Sequence, residues 1–207
     1  MVTSARAART ERIVAAALAV FGERGYAAAT TAEIARTAKT SKETIYGYFG
    51  DKAGLFRATL TSLVAAPTRD EVPVPSSGDA RSALIDLAST LIAELMNPDY
   101  LKIVRIVIAE GVRDPELITV FRESIVERLL AGVGGATSRI TDARPGLSAD
   151  TIARGFIGPL LTHVLLGGLL RAPEELRVPT DDEIVAQVDL FLEGASGTSR
   201  AGSHRAS

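Results

Sequence analysis

Apolar residues recur at three- and four-residue spacings along most of the chain, and the period-two alternation of a half-buried strand is scarce, so the pattern predicts an all-α protein. In RIVAAALAVFGERGY, residues 12–26, Ile13, Ala16, Ala17, Val20 and Phe21 share one helical face, and Gly25 stands where a left-handed C-cap would end the helix. Thr30 with Glu33 three residues on forms a capping box, which predicts a second helix that buries Ile34 and Ala35 and runs to about Ala38. After a turn at Lys39 and Thr40, a cap from Thr40 or Ser41 starts a third helix with Ile45 and Phe49 on its buried face. DKAGLFRATLTSLVAA continues as a connecting helix, and PTRDEVPVPSSGD then breaks the chain into a loop. Further helices are predicted over Ala80–Met96, Pro98–Gly111, Pro115 to about Ile140, Ala149–Leu170 with a kink at Pro159, and Asp181–Leu192. The last residues, 195–207, are small and polar and are expected to be disordered.

Two short helices around a tight turn, the second opening on hydroxyls and a lysine, read as a helix-turn-helix whose second helix could enter a major groove. Residues from about Arg9 to Leu60 resemble the DNA-binding domain of the tetracycline-repressor (TetR) family of bacterial transcription regulators. The likeness is carried by the preceding helix, by Thr30-Thr31, Ser41-Lys42, Thr44-Ile45-Tyr46 and Tyr48-Phe49, and by Lys52 at the start of the next helix. The chain departs from the family at five places. Lys39 takes the turn position usual for Gly, which predicts a left-handed conformation for a bulky residue. Thr40 replaces a valine, Gly47 a larger base-reaching residue, Gly50 a proline, and Ala32 an arginine found in some members. Base readout then rests on Lys42, Thr44 and Tyr46, with Lys39 a further candidate, while Thr31, Tyr48 and Lys52 suit phosphate contacts that fix the docking register. Thr30, Thr40, Ser41 and Gly47 complete the candidate DNA-binding set. The plainer alternatives are a cap only for Thr30, packing for Tyr46, and solvated charge for Lys42 and Lys52.

Charge supports the DNA reading. The first 60 residues hold nine Lys or Arg against five Asp or Glu, a balance of +4, and the remaining residues hold fourteen against twenty, a balance of −6. A basic segment on an acidic body puts the positive field where phosphates would sit. Arg6, Arg9 and Arg12 belong to it, and the first few residues are expected to form a mobile arm. The absence of cysteine excludes disulfides, thiolate metal sites and cysteine nucleophiles, and fits a cytoplasmic location. The apolar run IVAAALAVF imitates a signal peptide, but it is only nine residues long, ends at Gly22-Glu23-Arg24 and scans as a buried helix face. No membrane span is expected; the nearest approach, Gly155–Leu170, is interrupted by Pro159 and His163. His163 and His204 are the only histidines, and no phosphate loop or metal-ligand cluster is present, so neither an enzyme nor a cofactor or metal site is expected.

The divisions implied are a DNA-binding domain at 1–60, a helical effector-binding and dimerisation domain at 61–194, and the tail at 195–207. By resemblance, the chain is expected to be a homodimeric, ligand-responsive regulator, a repressor released from a palindromic double-stranded DNA operator by a small apolar effector. A helical ligand-binding or interaction protein without operator recognition is the alternative. Candidate pocket residues are Leu91, Met96, Ile103, Val107, Phe121, Ile125 and Phe156, each with plain core packing as its competing role. Leu160, His163, Val164, Gly167, Val188 and Phe191 are the candidate dimer interface, with packing inside one subunit as the alternative. Arg105, inside the apolar run IVRIVIAE, is expected to pair with Glu110 or face solvent in preference to meeting an acidic ligand.

Overall fold

Local capping chemistry sets most of the observed elements. The computed structural model describes residues 2–63, 80–138 and 146–196, and all the regular structure among them is helical. Helix α1 spans Val2–Ala28, so the expected mobile arm is helical from its second residue, in keeping with the alanines and arginines there, which are strong helix formers. Gly25 does not form a left-handed cap. Its φ of 78° comes with ψ of 174°, which breaks the helix and lets one further turn follow. The two backbone N–H groups freed by the break, of Tyr26 and Ala27, donate to the Glu110 carboxylate at 3.1 and 2.7 Å.

The next two helices begin as the caps predict. Helix α2, Thr31–Thr37, starts at Thr30, whose hydroxyl accepts from the Glu33 N–H at 3.2 Å. Helix α3, Lys42–Phe49, starts at Ser41, which accepts from the Thr44 N–H at 3.2 Å. Between them Lys39 takes φ 49°, the left-handed turn expected from its place. Helix α4 follows at Lys52–Leu63, where the Asp51 carboxylate accepts from the Gly54 N–H at 2.6 Å. A side chain at Gly54 would run into the Phe49 carbonyl, so glycine is what lets α3 and α4 approach so closely. Phe21, Tyr26 and Phe56 form the centre of this first layer, with ring centroids 5.0–5.7 Å apart. Phe21 and Phe56 are wholly buried, each contributing ~1.5–3 kcal/mol by the area removed from water.

The second half is built from long helices. Helix α5 is Ala80–Leu95 and α6 is Pro98–Glu110, the latter capped by Asn97 with Pro98 in its first turn. Helix α7, Pro115–Phe121, runs through a π segment at Arg122–Val126 directly into α8, Glu127–Ala136. The expected end of that rod near Ile140 lies outside the described residues, as do the loop at 67–79 and the tail from 197 on. Helix α9, Ala149–His163, contains Pro159 and passes into a second π segment at Val164–Leu169. Pro159 and Gly155, whose carbonyl loses its helical partner to the proline, are both exposed residues. Helix α10, Asp181–Ser196, outlasts its expected end at Leu192 by four residues. The stretch Ala149–Leu169 is long and apolar enough to cross a membrane by composition, but its inward stripe of Ile152, Phe156, Leu160 and Val164 is buried against the rest of the fold.

That same stripe bears on the residues expected at a dimer interface. Leu160, Val164, Gly167 and Val188 are buried within the chain itself, while His163 and Phe191 are half-buried. A side chain at Gly167 would strike the Arg177 carbonyl, and one at Gly168 would press on Leu101 and Met96, so the glycine pair serves packing inside the chain. Phe191 meets Phe156 edge-on at 5.3 Å, joining α10 to α9.

Candidate nucleic-acid interface and effector cavity

Helix α3 is anchored by Ile45, which has no exposed surface, and this turns the rest of the helix outward. Lys42, Gly47 and Tyr46 are exposed, Thr44 and Tyr48 are half-buried, and Ser41 and Lys39 stand exposed at the turn. Thr30 is exposed beside its cap, and Thr40 is half-buried with its N–H given to the Ala35 carbonyl at 2.9 Å. The Tyr46 hydroxyl lies 3.2 Å from the Thr31 hydroxyl, so the two candidates on α2 and α3 are fixed to each other, and Thr44 is similarly held 3.1 Å from Ser41. Around Gly47 no atom approaches within 4 Å of where a side chain would begin, leaving a gap in the outward face of α3.

Helix α1 braces this surface. The Arg6 guanidinium sits 5.2 Å from the Tyr48 ring centroid, and Arg12 donates to the Ala38 carbonyl at 3.0 Å, at the C-terminal end of α2. Lys52 is placed differently from the other candidates. Its ammonium donates to the Ala27 carbonyl at 3.3 Å and lies over the Tyr26 ring, and burial lowers its pKa against the opposing pull of Glu110 and Asp114. It pins the junction between α1 and α2 in addition to offering charge. Glu43, in the first turn of α3, keeps its carboxyl below the usual range through its own backbone N–H and Ser41.

The model of bacterial regulatory proteins of the tetR family matches residues 13–59. The uncharacterized HTH-type transcriptional regulator Mb2274c of Mycobacterium bovis is 30% identical over 139 residues, which cover 64% of this chain and 71% of that protein. The chain belongs to the TetR family. Among solved structures, a flavonoid-responsive regulator, FrrA, superposes with a TM-score of 0.67 at 25% identity, covering 91% of this chain and 95% of its own. A TetR regulator from Agrobacterium tumefaciens gives 0.65 at 26% identity, covering 89% and 93%. The protein is thus a helix-turn-helix DNA-binding transcriptional regulator of a non-enzymatic family.

In this TetR-family member the helical half holds a cavity of about 540 Å³ between α6, the α7–α8 rod and α9. That is within the usual range for small-molecule sites. Of the seven expected lining residues, it takes Phe121 and Ile125. Leu91, Met96, Ile103, Val107 and Phe156 are instead buried in the core, because they lie on helix faces turned to neighbouring helices. The residues that sequence reasoning missed include Tyr100 and Val104 on α6, Leu129 on α8, and Arg154, Ile157 and Leu161 on α9. Their three- and four-residue spacing marks a shared face, but nothing local says that the face opens on a space.

Helix α6 links this cavity to the reading head. Its Tyr100 and Val104 line the wall, and Glu110 at its end caps the broken turn of α1. Arg105 neither pairs with Glu110 nor hangs in solvent. Its guanidinium donates to the carbonyls of Gly168, Leu169 and Arg171 at 3.0, 3.3 and 2.8 Å, closing the C-terminal end of the α9 rod.

Proposed function

We propose that the protein is a homodimeric repressor that binds a palindromic operator and is released by a small apolar effector, acting in the bacterial cytoplasm where its DNA lies. The observation that carries the DNA reading is the eight-residue α3, held by a fully buried Ile45 and presenting Lys42 and Tyr46 outward. On this reading Lys42, Thr44 and Tyr46 read base edges, with Lys39 at the turn, and Thr31 and Tyr48 meet phosphates. The division into a reading domain at 1–60 and an effector and dimerisation domain at 61–194 follows the same lines.

Dimerisation is assigned to the outer faces of α9 and α10. Thr151, Gly155, Thr162 and Leu166 follow one another at helical spacing on the exposed side of the α9 rod, as Ala186, Leu190 and Gly194 do on α10. Small residues among exposed leucines let two helices from each subunit meet closely as a four-helix bundle. Two-fold pairing would then set two α3 helices about one DNA turn apart. An effector in the cavity bears on α6, and the Glu110 link carries a shift of α6 to the α1–α2 junction, changing the spacing of the reading helices. The likeness to a flavonoid-responsive regulator supports effector control without naming the effector.

The test is selection of bound sequences from a random DNA pool at near-physiological salt, followed by titration of the enriched sequence against scrambled DNA. An enriched palindrome supports the reading, and Lys42→Ala should then weaken specific binding by ~1–3 kcal/mol. A folded dimer that enriches nothing would favour the helical interaction protein instead.

A further inference from the structure

We propose that the cavity takes an apolar molecule whose buried end carries one uncharged hydrogen-bond acceptor, a ketone, ester or ether oxygen, held by the Tyr100 hydroxyl. This assignment rests on the effector reading above and gives the ligand its chemistry. Of the fourteen residues lining the cavity, only Tyr100 and Arg154 carry polar side-chain atoms. They differ in kind. Arg154 is exposed, and its guanidinium is already bound to Asp150 at 2.7 Å, one turn earlier on α9, so its charge is matched at the rim. Tyr100 is only 5% exposed, and no hydrogen bond from its hydroxyl is found among the described residues. Its backbone N–H is satisfied by Asn97.

The hydroxyl is not among the fully enclosed polar atoms that lack a partner, so it keeps a little accessible surface, and a ligand acceptor that replaces water there gains the ~0.5–1.5 kcal/mol of one net hydrogen bond. Burial also pushes the ionisation of Tyr100 upward, so the group stays a donor at any ordinary pH. The acceptor is uncharged because nothing at that depth would compensate a carboxylate. Lys102, the next basic residue along α6, is exposed and lies against Gly22 of α1 outside the cavity lining, and Arg105 beyond it spends its guanidinium on three backbone carbonyls. Removing an anion from water without a buried counter-charge costs several kcal/mol. No acidic side chain lines the cavity among the described residues, so a cation gains nothing there either. Both π segments border this space, Arg122–Val126 through Ile125 and Val164–Leu169 through Val164 and Leu165. Such widened turns are frequent where a helix has been shaped for a ligand.

The experiment is equilibrium dialysis of the full-length protein with hexanophenone, 6-phenylhexanoate and hexylbenzene, which share a phenyl ring and a six-carbon chain and differ in the polar group they carry. The ketone is expected to bind about 5- to 10-fold tighter than the hydrocarbon, the value of one net hydrogen bond. Tyr100→Phe, checked for folding by its melting curve, should erase that advantage and leave hexylbenzene unchanged. The acid binding tightest, with its affinity lost in Arg154→Ala, would overturn the assignment by moving the polar end to the rim. Equal ketone affinity in wild type and Tyr100→Phe, or no ketone binding at all, would also overturn it. A ketone that binds without releasing the selected operator leaves the ligand chemistry standing and removes the effector reading.

Discussion

Replacing Glu110 by alanine removes both acceptors that hold the broken end of α1 against α6. Oε1 accepts from the Tyr26 N–H at 3.1 Å and Oε2 from the Ala27 N–H at 2.7 Å. A hydrogen bond to a charged group contributes about 1.5–3 kcal/mol when shielded and about 0.5–1 where water can replace it. Tyr26 is buried and Ala27 exposed, so one bond of each kind is lost, about 2–4 kcal/mol in all, less a few tenths regained from alanine in a helix. For a chain of this size that corresponds to a fall in melting temperature of roughly 4–15 °C. Glu110→Gln keeps one acceptor and should lose about half as much. Calorimetric melting at one fixed protein concentration is the assay, because a dimer's midpoint moves with concentration. A midpoint within about 1 °C of wild type would refute the reasoning, since it would mean that water serves both N–H groups as well as the carboxylate does. If Glu110→Ala melts early yet still releases operator normally with ligand, the residue holds the junction but does not carry the signal.

Other expectations follow from single sites. Gly47→Ala should raise stability by ~0.5–1 kcal/mol, because the position is helical and open; a lower melting temperature would show that α3 is not a regular helix there. Leu190→Asp, on the exposed face of α10, should yield monomers in sedimentation velocity with the helical content intact, and a persistent dimer would place the interface elsewhere. Burial, helped by Glu116, Asp114 and Asp51, pushes the Tyr26 phenol from 10.0 up to about 12. An unfolded tyrosine gives up its proton first, so this contribution is intact below pH ~10 and is lost as pH rises through the folded value. Tyr26→Phe should therefore flatten the alkaline loss of stability over that window, and parallel pH profiles for mutant and wild type would contradict the cause.

The family, the all-helical class and the order of the helices were legible in the chain because their signals are local. A Thr30 hydroxyl that reaches Glu33, a Ser41 hydroxyl that reaches Thr44 and a turn that forces Lys39 to φ 49° each act within a few residues, so spacing alone specifies them. Tertiary structure decided what depends on partners far along the chain. Past Arg154 the outward side of the α9 rod is made mostly of apolar or small residues, as the inward side is, so periodicity could not tell that Leu160, Val164 and Gly167 face inward while Thr162 and Leu166 face out. The cavity likewise exists only where three helices fail to close on one another, which no single helix encodes. Gly25 looked like a cap, but it became a break because Glu110, far away in sequence, supplies the carboxylate that satisfies the turn beyond it.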